Sequence, residues 1–248
     1  VAHLKAQKSP PELYNTRLAM EKDGVALLRL FRWLENTLEG EGTTTEAEVA
    51  QRLAGFRAAQ PDYTGESFPE IVGSPDSGAI VHYRPDERDS AEIRAEGILL
   101  LDSGGQYLDG TTDVTRTVAL GPPTPEQIRN FTLVLKGHIT LGQAKVPAGT
   151  AGFHLDTLAR QYLWRHGLNY GHGTGHGVGY FLNVHEGPMG IFGRSEGPST
   201  VPLQPGMILS NEPGYYKDHA YGIRIENLVV VKHAGLKHAP DFLAFEDL

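Results

Sequence analysis

Cysteine is absent from the 248-residue chain. Disulfides, a zinc ribbon and a thiol nucleophile are therefore excluded, and any transition-metal site must draw on His, Asp and Glu. Long apolar runs are missing too. No window approaches the roughly 20 residues that span a bilayer, and the opening VAHLKAQKSPPELYN lacks the apolar core and small-residue cleavage site of a signal peptide. The expected location is cytoplasmic. Positive charge is scarce: 22 Lys and Arg face 30 Asp and Glu, a formal net charge of −8, which argues against a nucleic-acid partner. No low-complexity tract, short-period repeat or Pro/Ser linker divides the chain, so residues 1–248 read as a single domain. With Val1 in place of Met, the expectation is a fragment of a longer chain.

What is present reads as α+β. Ser9 ahead of Pro10 and Pro11 predicts a helix start, and Leu13, Met20, Leu27, Leu28, Phe31, Leu34 and Leu38 recur near helical spacing until Gly40 and Gly42. Thr45 and Glu48 form a capping-box pattern ahead of Val49, Leu53 and Phe56. Thr124 and Pro125 open a third helix through Ile128, Phe131, Leu135 and Ile139. A fourth runs from about Phe153 to His166 and is stopped by Gly167. Short runs rich in Ile, Leu and Val at Ala79–Tyr83, Gly97–Leu101, Val114–Leu120, Met207–Leu209 and Gly222–Val231 predict strands. Hairpin-length connections between them predict helices packed on one face of a curved antiparallel sheet.

The chemistry gathers in three segments. A hairpin turning near Tyr107–Leu108 would set Asp102 opposite Asp113 on one face, with Cβ atoms roughly 5 Å apart. A turn near His219 would do the same for Glu212 and Glu226. Asp113, Thr115 and Thr117 alternate with Val114 and Val118, and Arg224 and Glu226 alternate with Ile223 and Ile225, so each strand has one polar and one apolar face. Like charges paired on an apolar hairpin repel and are costly to desolvate, and a cation between them removes both objections. The competing reading of each pair is a solvated hairpin face. The third segment, Gly171-His172-Gly-Thr-Gly-His176-Gly, is followed by His185, and its glycines allow close backbone approach. It matches neither the dinucleotide G-x-G-x-x-G spacing nor a phosphate loop; the competing reading is a turn with surface histidines. Four carboxylates with imidazole and no sulfur suit Mn(II), with Co(II) or Zn(II) as alternatives. Four negative charges balance two divalent ions, and two metals about 3.5 Å apart can bridge a water and lower its pKa.

The strings Asp-Ser-Gly-Gly-Gln-Tyr-x-Asp-Gly-Thr-Thr-Asp-Val-Thr-Arg-Thr, Gly-His-Gly-Thr-Gly-His-Gly-Val-Gly and Ser-Asn-Glu-Pro-Gly-Tyr-Tyr resemble the catalytic domain of Xaa-Pro aminopeptidases. These are pita-bread metallopeptidases, and the match runs from the helix near Leu13 to the strand at Val231. The resemblance implies the pita-bread (creatinase/aminopeptidase) fold and an enzyme that hydrolyses the N-terminal Xaa-Pro bond of peptides by a metal-bridged hydroxide. It makes Asp102, Asp113, His176, Glu212 and Glu226 the ligands of two divalent ions, with Asp113 and Glu226 bridging. Glu212 would also deprotonate the attacking water. His82, His172, His185 and Tyr216 would contact substrate, the three histidines with catalytic roles, and Arg224 and Thr115 would brace the ligands. The implied partners are peptides with proline at the second position, with neither nucleic acid nor membrane, and a homo-oligomer is also open. The family's N-terminal domain or domains are absent from this chain. A prolidase-type dipeptidase and a metal-free binding module of the same fold are the alternatives.

Overall fold

The computed structural model describes residues 1–74, 77–81 and 90–248. A short helix α1 (Ala2–Ala6) precedes the long helix α2 (Pro10–Leu38). The Glu12 carboxylate caps α2 by accepting from the backbone N–H of Ser9 at 2.8 Å, and two prolines open the first turn, where no N–H is needed. Ala26, Leu27, Leu30, Leu34 and Leu38 form its buried stripe. After β1 (Thr44–Thr45) comes α3 (Glu46–Ala58), where Thr45 Oγ1 accepts the Glu48 N–H at 3.2 Å. The Glu48 side chain accepts from Thr44 Oγ1 instead of completing the box with Thr45.

Strands β2 (Tyr63–Gly73), β3 (Glu92–Ile93), β4 (Ile98–Tyr107), β5 (Gly110–Thr111) and β6 (Val114–Ala119) follow. β4 is the middle strand, flanked by β2 on one side and by β5 and β6 on the other, all antiparallel. Its alternation divides two environments. Leu99 and Leu101 pack against α2 and α3, while Ile98 joins the cluster around Leu133, Tyr221 and Ile223. Ser103 continues the helix-facing side, where its hydroxyl accepts from Arg57 at 3.0 Å. Arg57 is fully buried and donates to both oxygens of Asp23, at 2.7 and 3.0 Å, with Glu70 alongside.

The second half runs α4 (Pro125–Gly142), β7 (Lys145–Val146), α5 (Gly152–Trp164), β8 (Gly175–His176) and β9 (Gly190–Ile191). It ends with β10 (Ile208–Asn211), β11 (Gly214–Lys217), β12 (Tyr221–Arg224), β13 (Asn227–His233) and β14 (Leu243–Asp247). β10, β13, β14 and β7 form a second antiparallel sheet in that order. Leu155, Ala159 and Leu141 from the helices pack with Leu209, Val229 and Val231 from its strands. The two helices cross closely at Gly137, where a Cβ would meet the Ala159 carbonyl oxygen at 2.1 Å. The architecture is α+β, antiparallel sheets carrying helices on their outer side.

Two of the expected strands differ, and several elements were not foreseen. Residues 79–81 of the expected strand Ala79–Tyr83 are turn and bend, and the remainder lies outside the described residues. The expected strand Gly222–Val231 is two strands, β12 and β13, broken at Ile225 and Glu226. β2 has no counterpart in the sequence reading, because Gly65 and Pro69 interrupt its pattern and its register against β4 shifts three times. Such a proline is tolerated because β2 is an edge strand. β14 and the short α1 were also not foreseen.

Lys8 ties the N-terminal segment to the second half. It is 5% exposed, its backbone N–H donates to Gly206 O at 2.9 Å, and its ammonium donates to Val178 O. Burial lowers its pKa from 10.5 to about 8, against the opposing charge of Glu186. The unfolded chain keeps this proton where the folded chain has given it up, so stability attributable to Lys8 rises as pH climbs from about 8 towards 10. Urea unfolding across that window is expected to show a gain of about 1–3 kcal/mol that Lys8→Met abolishes. Equal slopes in both proteins would refute the assignment.

Candidate metal centre

The first hairpin brings two carboxylates to one face, though by a different register from the expected one. Asp102 pairs with Thr115 and Ser103 with Val114, and the same register continues to Tyr107 opposite Gly110. The turn is therefore Leu108–Asp109, and Asp113 lies diagonal to Asp102 and not opposite it. An offset of two residues keeps both side chains on one face, where an offset of one would have separated them. The diagonal spacing, on the order of 7–8 Å between backbones, opens a gap that direct opposition would have closed. Thr115 fills the opposite position and donates to Glu226 at 2.6 Å.

The second hairpin turns where expected, with His219 at φ 55°. One register runs from Ile208 opposite Val230 to Lys217 opposite Tyr221, yet it is interrupted at the two glutamates. Pro213 offers no N–H to the ladder. The Glu212 N–H donates to Thr174 O at 2.9 Å, and the Glu226 N–H donates to Thr115 O at 3.2 Å. Each glutamate is thus held by a segment outside its own hairpin, and three parts of the chain meet between them.

The glycine-rich segment enters from the third side. A Cβ on Gly175 would meet the Ser210 carbonyl oxygen at 2.0 Å, so only glycine lets β8 lie this close to β10. The ring of His176 has Nδ1 3.0 Å from Gly177 O, which fixes Nδ1 as the protonated nitrogen in the neutral tautomer and leaves Nε2 as the ligating one. Nε2 lies 3.4 Å from Asp113 Oδ2 and 3.3 Å from Glu212 Oε1. Ser210 Oγ links the pieces, accepting the His176 N–H at 2.9 Å and donating to Glu212 Oε1 at 2.9 Å.

Arg224 brings a guanidinium into this cluster. It donates to Asp102 Oδ2 at 2.5 Å, to Thr115 Oγ1 at 3.2 Å and to the Tyr216 hydroxyl at 2.6 Å. That hydroxyl lies 2.8 Å from His172 Nε2, while His172 Nδ1 is 2.7 Å from Gly173 O. The geometry makes His172 an Nδ1–H tautomer that accepts from Tyr216. His185 sits at the exposed rim with its ring 4.2 Å from that of His176, edge to face. His82 lies outside the described residues. The other ten expected site residues all surround one cavity of about 650 Å³ or support its walls, and Phe68, Ile71, Val81, Val184, Met189 and Phe192 give it an apolar side.

The electrostatics suit a pair of cations. Burial raises Asp113 from 3.8 to about 7, the Asp102 charge adding and His176 opposing. Burial and the neighbouring carboxylates push Glu226 well above the usual range, and Glu212 is raised by burial against the pull of His176 and Arg224. Burial disfavours charge on His176, yet Asp113 and Glu212 outweigh it and lift the imidazole from 6.5 to about 9. Asp102 Oδ1 and Glu226 Oε1 are buried without a hydrogen-bond partner. Asp113, His176 and Glu226 each bring one ligand atom within 4.8 Å of the others. Oxygen donors with one imidazole and no sulfur are the donor set of hard divalent ions, and these residues fit them.

Ser210, Phe192 and Phe68 were not among the sequence candidates. Ser210 was legible in the Ser-Asn-Glu string beside Glu212, whereas nothing local to Phe68 or Phe192 marks them as cavity residues.

This fold and site define an antiparallel α+β domain with a candidate metal centre. Residues 15–233 match metallopeptidase family M24, and the chain belongs to that family. It is 52% identical over 250 residues to the probable Xaa-Pro aminopeptidase P of Fusarium vanettenii, covering 99% of this chain and 40% of that protein. It superposes with a TM-score of 0.93 and 43% identity on the X-prolyl aminopeptidase of Caenorhabditis elegans, a cytosolic enzyme with a di-nuclear active site, covering 98% of this chain and 40% of that one. The prolidase from Pyrococcus furiosus is more distant, with TM-score 0.80 and 26% identity over 92% of this chain and 63% of that one. The chain thus spans about 40% of the length of the aminopeptidases it matches. Among the described residues no helix is long and apolar enough to cross a membrane.

In EDTA the folded protein binds a proton on Asp113 up to about pH 7 that the unfolded chain releases near 3.8. Metal-free stability is therefore expected to fall as pH rises from about 4 to 7. Mn(II) at a hundredfold over its Kd is expected to add about 2.7 kcal/mol. Glu226→Gln, which replaces a carboxyl whose ionisation burial disfavours with a permanently neutral amide, is expected to lose less stability than the parent as pH rises in EDTA and to respond less to Mn(II). Calorimetric melting with and without Mn(II), Co(II) or Zn(II) checks both, and a transition blind to all three ions would contradict the metal centre.

Proposed function

We propose that residues 1–248 form the catalytic domain of a two-metal Xaa-Pro aminopeptidase, which releases the first residue of peptides whose second residue is proline. The observation that carries this reading is the convergence of four carboxylates and one imidazole on an apolar cavity, with two buried carboxylate oxygens left unpartnered. The name of the Fusarium relative and the di-nuclear site of the C. elegans structure support it. The latter's cytosolic character supports a cytoplasmic location.

In this reading Asp113 and Glu226 would hold both ions, Asp102 one of them, and His176 with Glu212 the other. Two divalent ions there, Mn(II) by donor chemistry, would lower the pKa of water towards neutrality and polarise the scissile carbonyl. Glu212 is the carboxylate suited to proton transfer. Its side chain keeps 17% of its surface exposed, against 5% for Asp113, and its pKa is raised towards the working range. It takes the proton of the attacking water on its Oε2, since Ser210 already donates to Oε1, and returns it to the leaving proline nitrogen. His185, at the rim beside His176, donates to the oxygen on which charge develops. His172, held by Tyr216 and Gly173, presents its ring as a wall of the cavity, and the apolar side accepts the prolyl ring. Arg224 and Thr115 hold Asp102 and Glu226 in place. A catalytic part for His82 belongs to this proposal on resemblance alone.

A dipeptidase of the prolidase type is the second reading, favoured by the likeness to the P. furiosus enzyme. Incubation with Mn(II) and paired substrates separates the two: cleavage of Xaa-Pro-Yaa in preference to Xaa-Pro is expected. Glu212→Gln is expected to lower kcat by about 100- to 10,000-fold. Turnover undiminished in that variant, or cleavage confined to bonds without proline, would refute the proposal.

A further inference from the structure

The segment from Leu168 to Thr174 carries His172 and reaches Glu212, yet it contains neither helix nor strand. Its carbonyl groups consequently lack ladder partners, and where such a loop dips into the protein, as at Tyr170 and Thr174, something else must supply donors. The donors come from Arg160 on α5, whose side chain is 9% exposed. Its Nη1 donates to Tyr170 O at 2.7 Å and to Asn169 Oδ1 at 3.0 Å, and its Nη2 donates to His172 O at 2.7 Å. Its Nε donates to Asp156 Oδ2 at 2.6 Å, and the guanidinium lies 3.8 Å from the centre of the Tyr170 ring.

The other oxygen of Asp156 extends the grip. Asp156 is 1% exposed and its Oδ1 accepts from Thr174 Oγ1 at 2.6 Å. With that proton committed, the Tyr170 hydroxyl must be the donor in its 2.5 Å contact with Thr174 Oγ1. Thr174 O in turn receives the Glu212 N–H. One ion pair on a single helix turn thereby reaches the backbone of His172 at one end and that of Glu212 at the other.

We propose that Arg160 is a positioning residue, which together with Asp156 sets where His172 lines the cavity and where the Glu212 amide is anchored. The kinetic part of this inference rests on the aminopeptidase reading; the geometric part does not. A lysine in place of Arg160 keeps the charge opposite Asp156 and loses the planar fork that serves three acceptors at once. Released from it, the His172 carbonyl turns, and the contacts of the ring with Gly173 and Tyr216 are lost.

The test uses the intact protein labelled with 15N-histidine and loaded with diamagnetic Zn(II), the His172 imidazole resonances being assigned by comparison with His172→Gln. Arg160→Lys is expected to shift those resonances away from the Nδ1–H pattern. With Mn(II) and an Xaa-Pro-Yaa peptide, well below the melting temperature, it is expected to raise KM about tenfold, more than it lowers kcat. Thr174→Val is expected to shift the same resonances and Thr174→Ser to restore them, which decides the matter should Arg160→Lys fail to fold. Resonances unmoved in Arg160→Lys or Thr174→Val, with KM within about twofold of the parent and only the melting temperature lowered, would overturn the proposal. Should the parent cleave no proline peptide, the functional reading fails and the imidazole resonances alone decide this one.

Discussion

Four carboxylates sharing one largely buried cavity are the constraint around which this molecule is arranged. At an effective dielectric of about 20, two unit charges 4 Å apart repel by roughly 4 kcal/mol, and Arg224 and His176 bring positive charge against them. The fold answers by holding each carboxylate with a separate donor: Arg224 on Asp102, His176 beside Asp113, Ser210 on Glu212, Thr115 on Glu226. None of these donors satisfies the whole group, and unpartnered oxygens remain on Asp102 and Glu226. The residual electrostatic strain is what makes the cavity a receptor for cations.

β4 shows how the rest of the structure serves that arrangement. Adjacent residues Ser103 and Asp102 point to opposite sides of the sheet, and each meets a buried guanidinium, Arg57 on the helix side and Arg224 on the cavity side. Arg57 in turn is neutralised by Asp23 from α2. The helix layer therefore does more than cover the apolar face of the sheet. It fixes the strand from behind at the residue where the site begins, and α5 does the comparable work for the glycine-rich segment through Arg160.

Much of this was legible in the chain. The helix starts at Ser9, Thr45 and Thr124 are local chemistry and lie where expected. The alternation of Thr115 and Thr117 with Val114 and Val118 survives intact, because period two is a property of the strand itself. The Asp102 register did not come out as expected, since a hairpin that turns at Leu108–Asp109 and one that turns a residue earlier present the same pattern of polar faces. The break at Glu226 was hidden because its amide is taken by Thr115, 111 residues away. β2 was missed because edge strands tolerate the glycine and proline that sequence reading treats as stops. Asp156 and Arg160, four apart on one helix, look like an ordinary surface pair until the loop that closes over them is in place.

The interruption of the second hairpin has one more consequence. The backbones of Glu212 and Glu226 are bracketed by the main-chain carbonyls of Thr174 and Thr115, and the Thr115 hydroxyl adds a second hold on Glu226. Exchange of those threonines removes their hydroxyl contacts to Glu226 and Asp156, whereas the N–H to carbonyl brackets depend on the path of the main chain. An insertion or deletion between Thr174 and Glu212, or between Thr115 and Glu226, would displace a bracket by a full residue step. Drift in such a lineage should accordingly be severe towards changes of loop length in these two stretches.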